Sequence, residues 1–236
     1  MSKLAVLDDL LVRYHQLKYH HNATLKQKLN DVQDWQRKRL CQSHHAFFTQ
    51  KNHQLMADYF VNRLYGGDEF DEIAIQIERL VKHAHKVEKL IPETAIKTGT
   101  HGIELAILAV ELDEHVAEKL LETYPADTPL NNEMMRLTYL AVGQKDDRLK
   151  QLKMADEFGY NLDHYLRSFI VQTAFKMAKP VAYKHRFNVM YDFMHDGFVA
   201  MKPLKSAQTF VETFTQKERQ VVLNVHSGDL NPFACV

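Results

Sequence analysis

Apolar residues recur along this chain three and four positions apart, and no alternating β-branched run of strand length appears. Leu4, Leu7, Leu10, Leu11, Tyr14 and Leu17 predict a first helix over 3–20. Leu25, Leu29, Val32, Trp35, Leu40 and Phe47 predict a second, reaching about residue 49, with Asn22 or Thr24 as its cap. A third, capped by Asn52, is expected to stop at Gly66-Gly67, where a left-handed residue costs glycine nothing. Asp68 suits the cap of the next helix, which should run to about Leu90. Its first turn holds Glu69, Asp71 and Glu72, where the helix dipole favours acids.

Glycine and proline supply the remaining punctuation. Pro92 suits a first helical position. Gly99 reads as a break, Thr100 as a restart, and the run continues to about Glu122 before Pro125 ends it. Thr128-Pro129 opens a helix that Gly143 closes, and a short helix over 144–158 stops at Gly159. Asn161 or Asp163 caps the next, to about residue 178; Pro180 starts another, ending near Met201; Pro203 starts the last, to about Val225. The reading is an all-α fold, a single multi-helix bundle-like domain of roughly nine or ten helices over residues 1–228. The turn at 125–129 is the candidate subdomain boundary, and 229–236 reads as an extended tail.

Length changes this picture little. A chain of 236 residues buries about 70–75% of its unfolded surface and needs no disulfide staples. Charge changes it more, because thirty basic residues balance thirty acidic ones. A general nucleic-acid binder usually shows a basic excess, so nucleic acid is not the expected partner. Cys41 and Cys235 fit neither a metal knuckle nor a redox pair, which suggests free thiols in a reducing compartment. Four apolar residues before Asp8-Asp9 leave no room for a signal-peptide core, and no apolar run is long enough to span a membrane. The expected location is the cytoplasm.

The sequence holds no phosphate-binding loop, no GxGxxG, no GxSxG and no HExxH. Its most chemical stretch is His101 to His115. Glu104, Glu111 and His115 fall on one helical stripe there, together with Glu118. A Glu, Glu, His stripe is half of a carboxylate metal site, and Asp192 and His195 are the nearest residues to supply the other half. The bland reading of the stripe is a narrow solvated face. Fourteen histidines also leave haem ligation open, though most read as surface or half-buried residues. Two basic clusters, Arg37-Lys38-Arg39 beside Trp35 and Lys176, Lys179, Lys184, His185 and Arg186 flanking Pro180, suit phosphate, RNA or an acidic partner, or else are solvated helix faces. Phe187, Tyr191, Phe193, Met194 and Phe198 read as core.

Tyr59-Phe60-Val61-Asn62-Arg63-Leu64-Tyr65-Gly66 resembles the signature of a bacterial helical family named for its FFLEELY motif, a domain of unknown function. Trp35-Gln36-x-x-Arg39-Leu40, Glu111-Leu112-Asp113 and Phe193-Met194-His195-Asp196-Gly197-Phe198 are similar to further segments of that family. The resemblance covers about residues 25–225 and brings no known activity. Asn62 and Arg63 stand where the family has paired acids, while Phe60, Leu64 and Tyr65 remain. The surviving residues, with Trp35 and Gly66, therefore suggest a packing motif rather than a catalytic one. The leading expectation is a non-enzymatic binding or adaptor protein whose groove takes a partner protein, a peptide or an apolar ligand, with self-association open. A metal- or haem-dependent helical-bundle enzyme is the alternative, and an RNA- or phosphate-associated regulator the third.

Overall fold

The computed structural model describes residues 5–65, 69–82 and 93–234. These form eleven α-helices, and no strand occurs among the described residues. α1 spans Ala5–His15, and a 3-10 turn at Lys18–His21 leads into α2, Ala23–Ser43. α3 is the four residues His45–Phe48, and α4, Gln54–Tyr59, runs on into a π turn at Phe60–Leu64. α5 is Phe70–Lys82 and α6 is Glu93–Thr123. α7 is Asn132–Val142, α8 Lys145–Arg167, α9 Phe169–Lys184, α10 Asn188–Met201 and α11 Ala207–His226. No helix among the described residues is long and apolar enough to cross a membrane. The expected stop at Gly66-Gly67, the cap at Asp68, the helix end near Leu90, Pro92 and Cys235 lie outside the described residues.

Local chemistry explains the ends that match the sequence pattern. The Asn22 side chain accepts a hydrogen bond from Leu25 N at 3.0 Å and so starts α2. Gly143, at φ +71°, closes α7 in the left-handed conformation.

Other expected breaks are not breaks. Gly99 and Gly102 lie inside α6, Gly159 and Asp163 inside α8, and Pro180 inside α9. Asp163 does serve a helix start, but that of α11, where it accepts from Ala207 N at 2.8 Å. Ser206, rather than Pro203, caps α11, accepting from Thr209 N at 3.1 Å. Residues 229–234 hold a turn. Ala234 N donates to Asn231 O at 3.0 Å, and the buried Phe233 ring meets Trp35 edge-on at 5.0 Å.

Gly159 shows why a glycine can sit in mid-helix. α8 packs along α11, and a Cβ at Gly159 would stand 2.8 Å from Val211 Cβ. The glycine sets the separation of the two helices. Gly159→Ala is expected to cost about 1–3 kcal/mol through overpacking. Urea denaturation checks this, and an unchanged midpoint would mean the helices part freely.

The helices bury three clusters rather than one continuous core. Leu29, Val32, Val116, Leu120, Met135 and Val225 centre the first, where α2, α6 and α11 meet. Met56, Tyr59, Met201 and Phe210 centre the second. Leu7, Leu10, Ile73, Ile77 and Ile107 centre the third, between α1, α5 and α6. A domain normally has one contiguous core. Residues of all three line one shared space.

Candidate functional site

That space is a cavity of about 800 Å³. Leu29 of α2, Phe60 of the π turn, Ile73 of α5, Ala109 of α6, Phe158 of α8 and Phe214 of α11 supply parts of its apolar wall. Protein interiors are close-packed, with few voids larger than a water molecule. This space is partly open, so solvent or a ligand fills it. Apolar walls with a few polar groups are the usual make-up of a small-molecule site.

The polar groups form one connected network. Glu218 of α11 accepts from Arg39 Nη1 at 2.7 Å and sits 2.6 Å from His44 Nε2. Arg39 Nη2 also donates to Gln36 Oε1 at 2.9 Å, and Gln36 Nε2 donates to the Tyr139 hydroxyl. The Arg148 guanidinium lies 5.6 Å from the centre of the Tyr139 ring. Arg148 Nη2 donates to Asp113 Oδ1 at 2.8 Å, and the Tyr65 hydroxyl donates to Asp113 Oδ2 at 2.7 Å. Gln36, Arg39, Tyr65, Tyr139, Arg148 and Glu218 all line the cavity.

Burial and charge act against each other at both ends of this network. Burial alone would raise the Glu218 pKa, but Arg39 and His44 outweigh it and hold the carboxyl below its ordinary value. Burial alone would lower Arg148, and Asp113 outweighs that and raises it. Burial, reinforced by Asp113, pushes the Tyr65 hydroxyl well up, so it stays protonated and donates. Arg148 Nε is buried and finds no hydrogen-bond partner among the described residues.

Local geometry brings Tyr65 inward. Its N–H donates to Phe60 O at 2.9 Å, the five-residue step of a π turn, so Phe60–Leu64 is wider than an α-helix. Phe60 and Leu64 both still face the cavity, and Phe60 meets Phe214 edge-on at 4.8 Å. Trp35 packs outside the cavity against Phe233. Gly66 lies outside the described residues. Thus Gln36 and Arg39, Tyr65, and Asp113, from three separate segments of the sequence, meet in one network.

The expected basic patch Arg37-Lys38-Arg39 does not form one surface. Arg39 turns inward to Glu218, Lys38 is exposed, and Arg37 pairs with Asp34. Lys184 and Arg186 are exposed at and beyond the end of α9. The candidate metal stripe is drawn to separate partners. Arg13 Nε donates to Glu111 at 3.0 Å, while His115 Nδ1 is 2.7 Å from Gln144 Nε2. Glu104 is half-buried, and His195 pairs with Asp196 at 3.1 Å rather than with Asp192. Among the described residues no three His, Cys, Asp or Glu side chains are grouped to hold a metal.

Glu218, Tyr139 and Arg148 escaped the sequence reading. Their partners lie far along the chain, 179 residues away for Arg39 and Glu218, and no spacing rule links them. A Glu and an Arg on otherwise amphipathic helices look like surface residues until the fold is known.

A family model described as a domain of unknown function (DUF8198) matches residues 16–232. No curated protein and no solved structure matches the chain.

Proposed function

We propose that this chain, which belongs to the family described as a domain of unknown function (DUF8198), binds an elongated apolar small molecule in its central cavity. The family match itself brings no activity, so the reading rests on the cavity. A partly open cavity of about 800 Å³ with apolar walls and one polar network is the single observation that carries it. The ligand's apolar body lies along α6 and α11, and its polar end faces Arg148, Tyr65 and Tyr139. The protein acts as a binder or carrier rather than through a metal centre.

The likeness of Tyr59–Tyr65 and Trp35–Leu40 to the FFLEELY family gains a physical rationale on this reading. Those segments shape the cavity wall and its polar network, so they serve packing and binding together. The Asn62 and Arg63 departures leave the site intact, because neither side chain lines it. Asn62 bonds Asp58 and Arg63 bonds Glu69, both away from the cavity.

Titration of solvent-extracted protein with cis-parinaric acid tests the proposal. Saturable fluorescence enhancement at one probe per chain is expected, with a raised melting temperature. Fluorescence that grows linearly without saturation, and an unmoved melting temperature, would falsify it.

A further inference from the structure

The geometry of α9 points to a docking surface for an anionic lipid membrane. Among the described residues the helix is held on one side only. Phe175 stacks on Tyr191 of α10 at 4.5 Å and meets Phe198 edge-on at 4.8 Å. No residue of α9 is fully buried. On the outer side Ile170, Ala174, Met177 and Val181 follow one another at steps of four, three and four, a single helical stripe. Ile170 is 79% exposed, Met177 72% and Val181 57%, and Phe169 beside them is 81% exposed. Scattered single exposed apolar residues need no explanation, but a continuous stripe does.

The charges beside that stripe choose its occupant. Phe169, Lys176 and Tyr183 form the adjoining row, seven residues apart, and Lys184 falls between the row and the stripe. Lys179 reaches the Tyr183 ring from the far side, 5.4 Å from its centre. Residues 164–191 contain no Asp or Glu, in a chain with thirty acids and no net charge. Of the two acids that bound this stretch, Asp163 accepts from Ala207 N at 2.8 Å and Asp192 is held by the Tyr183 hydroxyl at 2.7 Å. No ion pair engages Lys176, Lys179 or Lys184 among the described residues. A protein partner with a matching apolar groove would not by itself call for this one-signed flank. An anionic bilayer does, since apolar side chains enter the headgroup boundary while lysines meet lipid phosphates. Aromatic and lysine side chains have apolar bodies and polar ends suited to that boundary. The helix lies in the interface and does not cross it. The inference stands on α9 alone and does not depend on the cavity's ligand.

Co-sedimentation of the full chain with vesicles tests it. Vesicles of equal phosphatidylglycerol and phosphatidylcholine are expected to carry the protein down at low salt, and pure phosphatidylcholine vesicles to leave it in solution. Raised salt should release it. The triple variant Lys176→Gln, Lys179→Gln, Lys184→Gln should lose binding by about fivefold per lysine. Ile170→Glu with Met177→Glu should abolish binding, with the helical circular dichroism unchanged. No sedimentation with the anionic vesicles overturns the proposal, as does equal sedimentation with both kinds. A wild-type dimer that Ile170→Glu with Met177→Glu turns into a monomer, without vesicle binding, overturns it too and assigns the stripe to a second copy of the chain.

Discussion

Replacing Glu218 by Ala is expected to destabilise the protein by about 3–5 kcal/mol, the usual cost of leaving a buried charge without its partner. Glu218 is 8% exposed and answers both Arg39 and His44. Without it the Arg39 guanidinium, itself 7% exposed, keeps only the neutral Gln36 oxygen. Surface ion pairs of the same chemistry, such as Lys97 with Glu93, should cost no more than about 1 kcal/mol when broken. Urea denaturation of Glu218→Ala beside Glu93→Ala makes the comparison, and equal small losses would contradict the account. The pH dependence has a definite sign. Glu218 is held below its ordinary value in the folded protein, so its contribution is fully present above the unfolded carboxylate range, near pH 4.3. It is lost as pH falls through the lower folded value. Glu218→Gln should remove that part of the acid sensitivity while Glu93→Gln leaves it in place.

The second large effect concerns binding. Ala109→Trp should reduce parinaric acid binding at least about a hundredfold while leaving stability equal or higher. Ala109 lies on α6 and faces the cavity, so a large ring there fills empty space instead of displacing packed neighbours. Filling a void recovers dispersion contacts that its lining lacks. A core without the cavity would respond in the opposite way, losing about 1–3 kcal/mol to overpacking. One substitution therefore separates a real cavity from a packed interior by the direction of its effect on stability. Stability measured by urea and binding measured by fluorescence must move independently. A variant that unfolds more easily and still binds the probe would contradict the assignment.

The helical fold was legible because its signals are local. Asn22 before the periodic run of α2 and Gly143 after α7 act through bonds within a few residues. Gly159 and Pro180 misled the reading because their meaning is not local. Gly159 answers Val211 on another helix, and packing of Phe175 against Tyr191 and Phe198 holds α9 in place around Pro180. The extra helix is the short α3, split from α2 at His44 where the pattern predicts one helix running to about residue 49.

The candidate site was legible only in fragments. Periodicity places Arg39 within a basic triplet, yet its helix faces split the triplet in three directions, and only the position of α11 turns Arg39 into a buried ion-pair partner. Asp113 stands in a segment marked by resemblance, but the helical stripe there runs through its neighbours Glu111 and His115. Those two meet Arg13 and Gln144. Asp113 is 1% exposed, and a carboxylate buried that deeply is stabilised by a cation. Arg148 provides it from 35 residues away. The cavity itself has no sequence signal, because a wall of Leu, Ile, Phe and Ala reads the same whether it faces a neighbour or a void.

Native mass spectrometry of the protein, purified gently from its own cells, tests the cavity most directly. The account predicts a mass excess of one small organic molecule per chain, removed by solvent extraction and absent from Ala109→Trp. A bare-chain mass for the wild-type protein, with parinaric acid failing to bind the same sample, would contradict it.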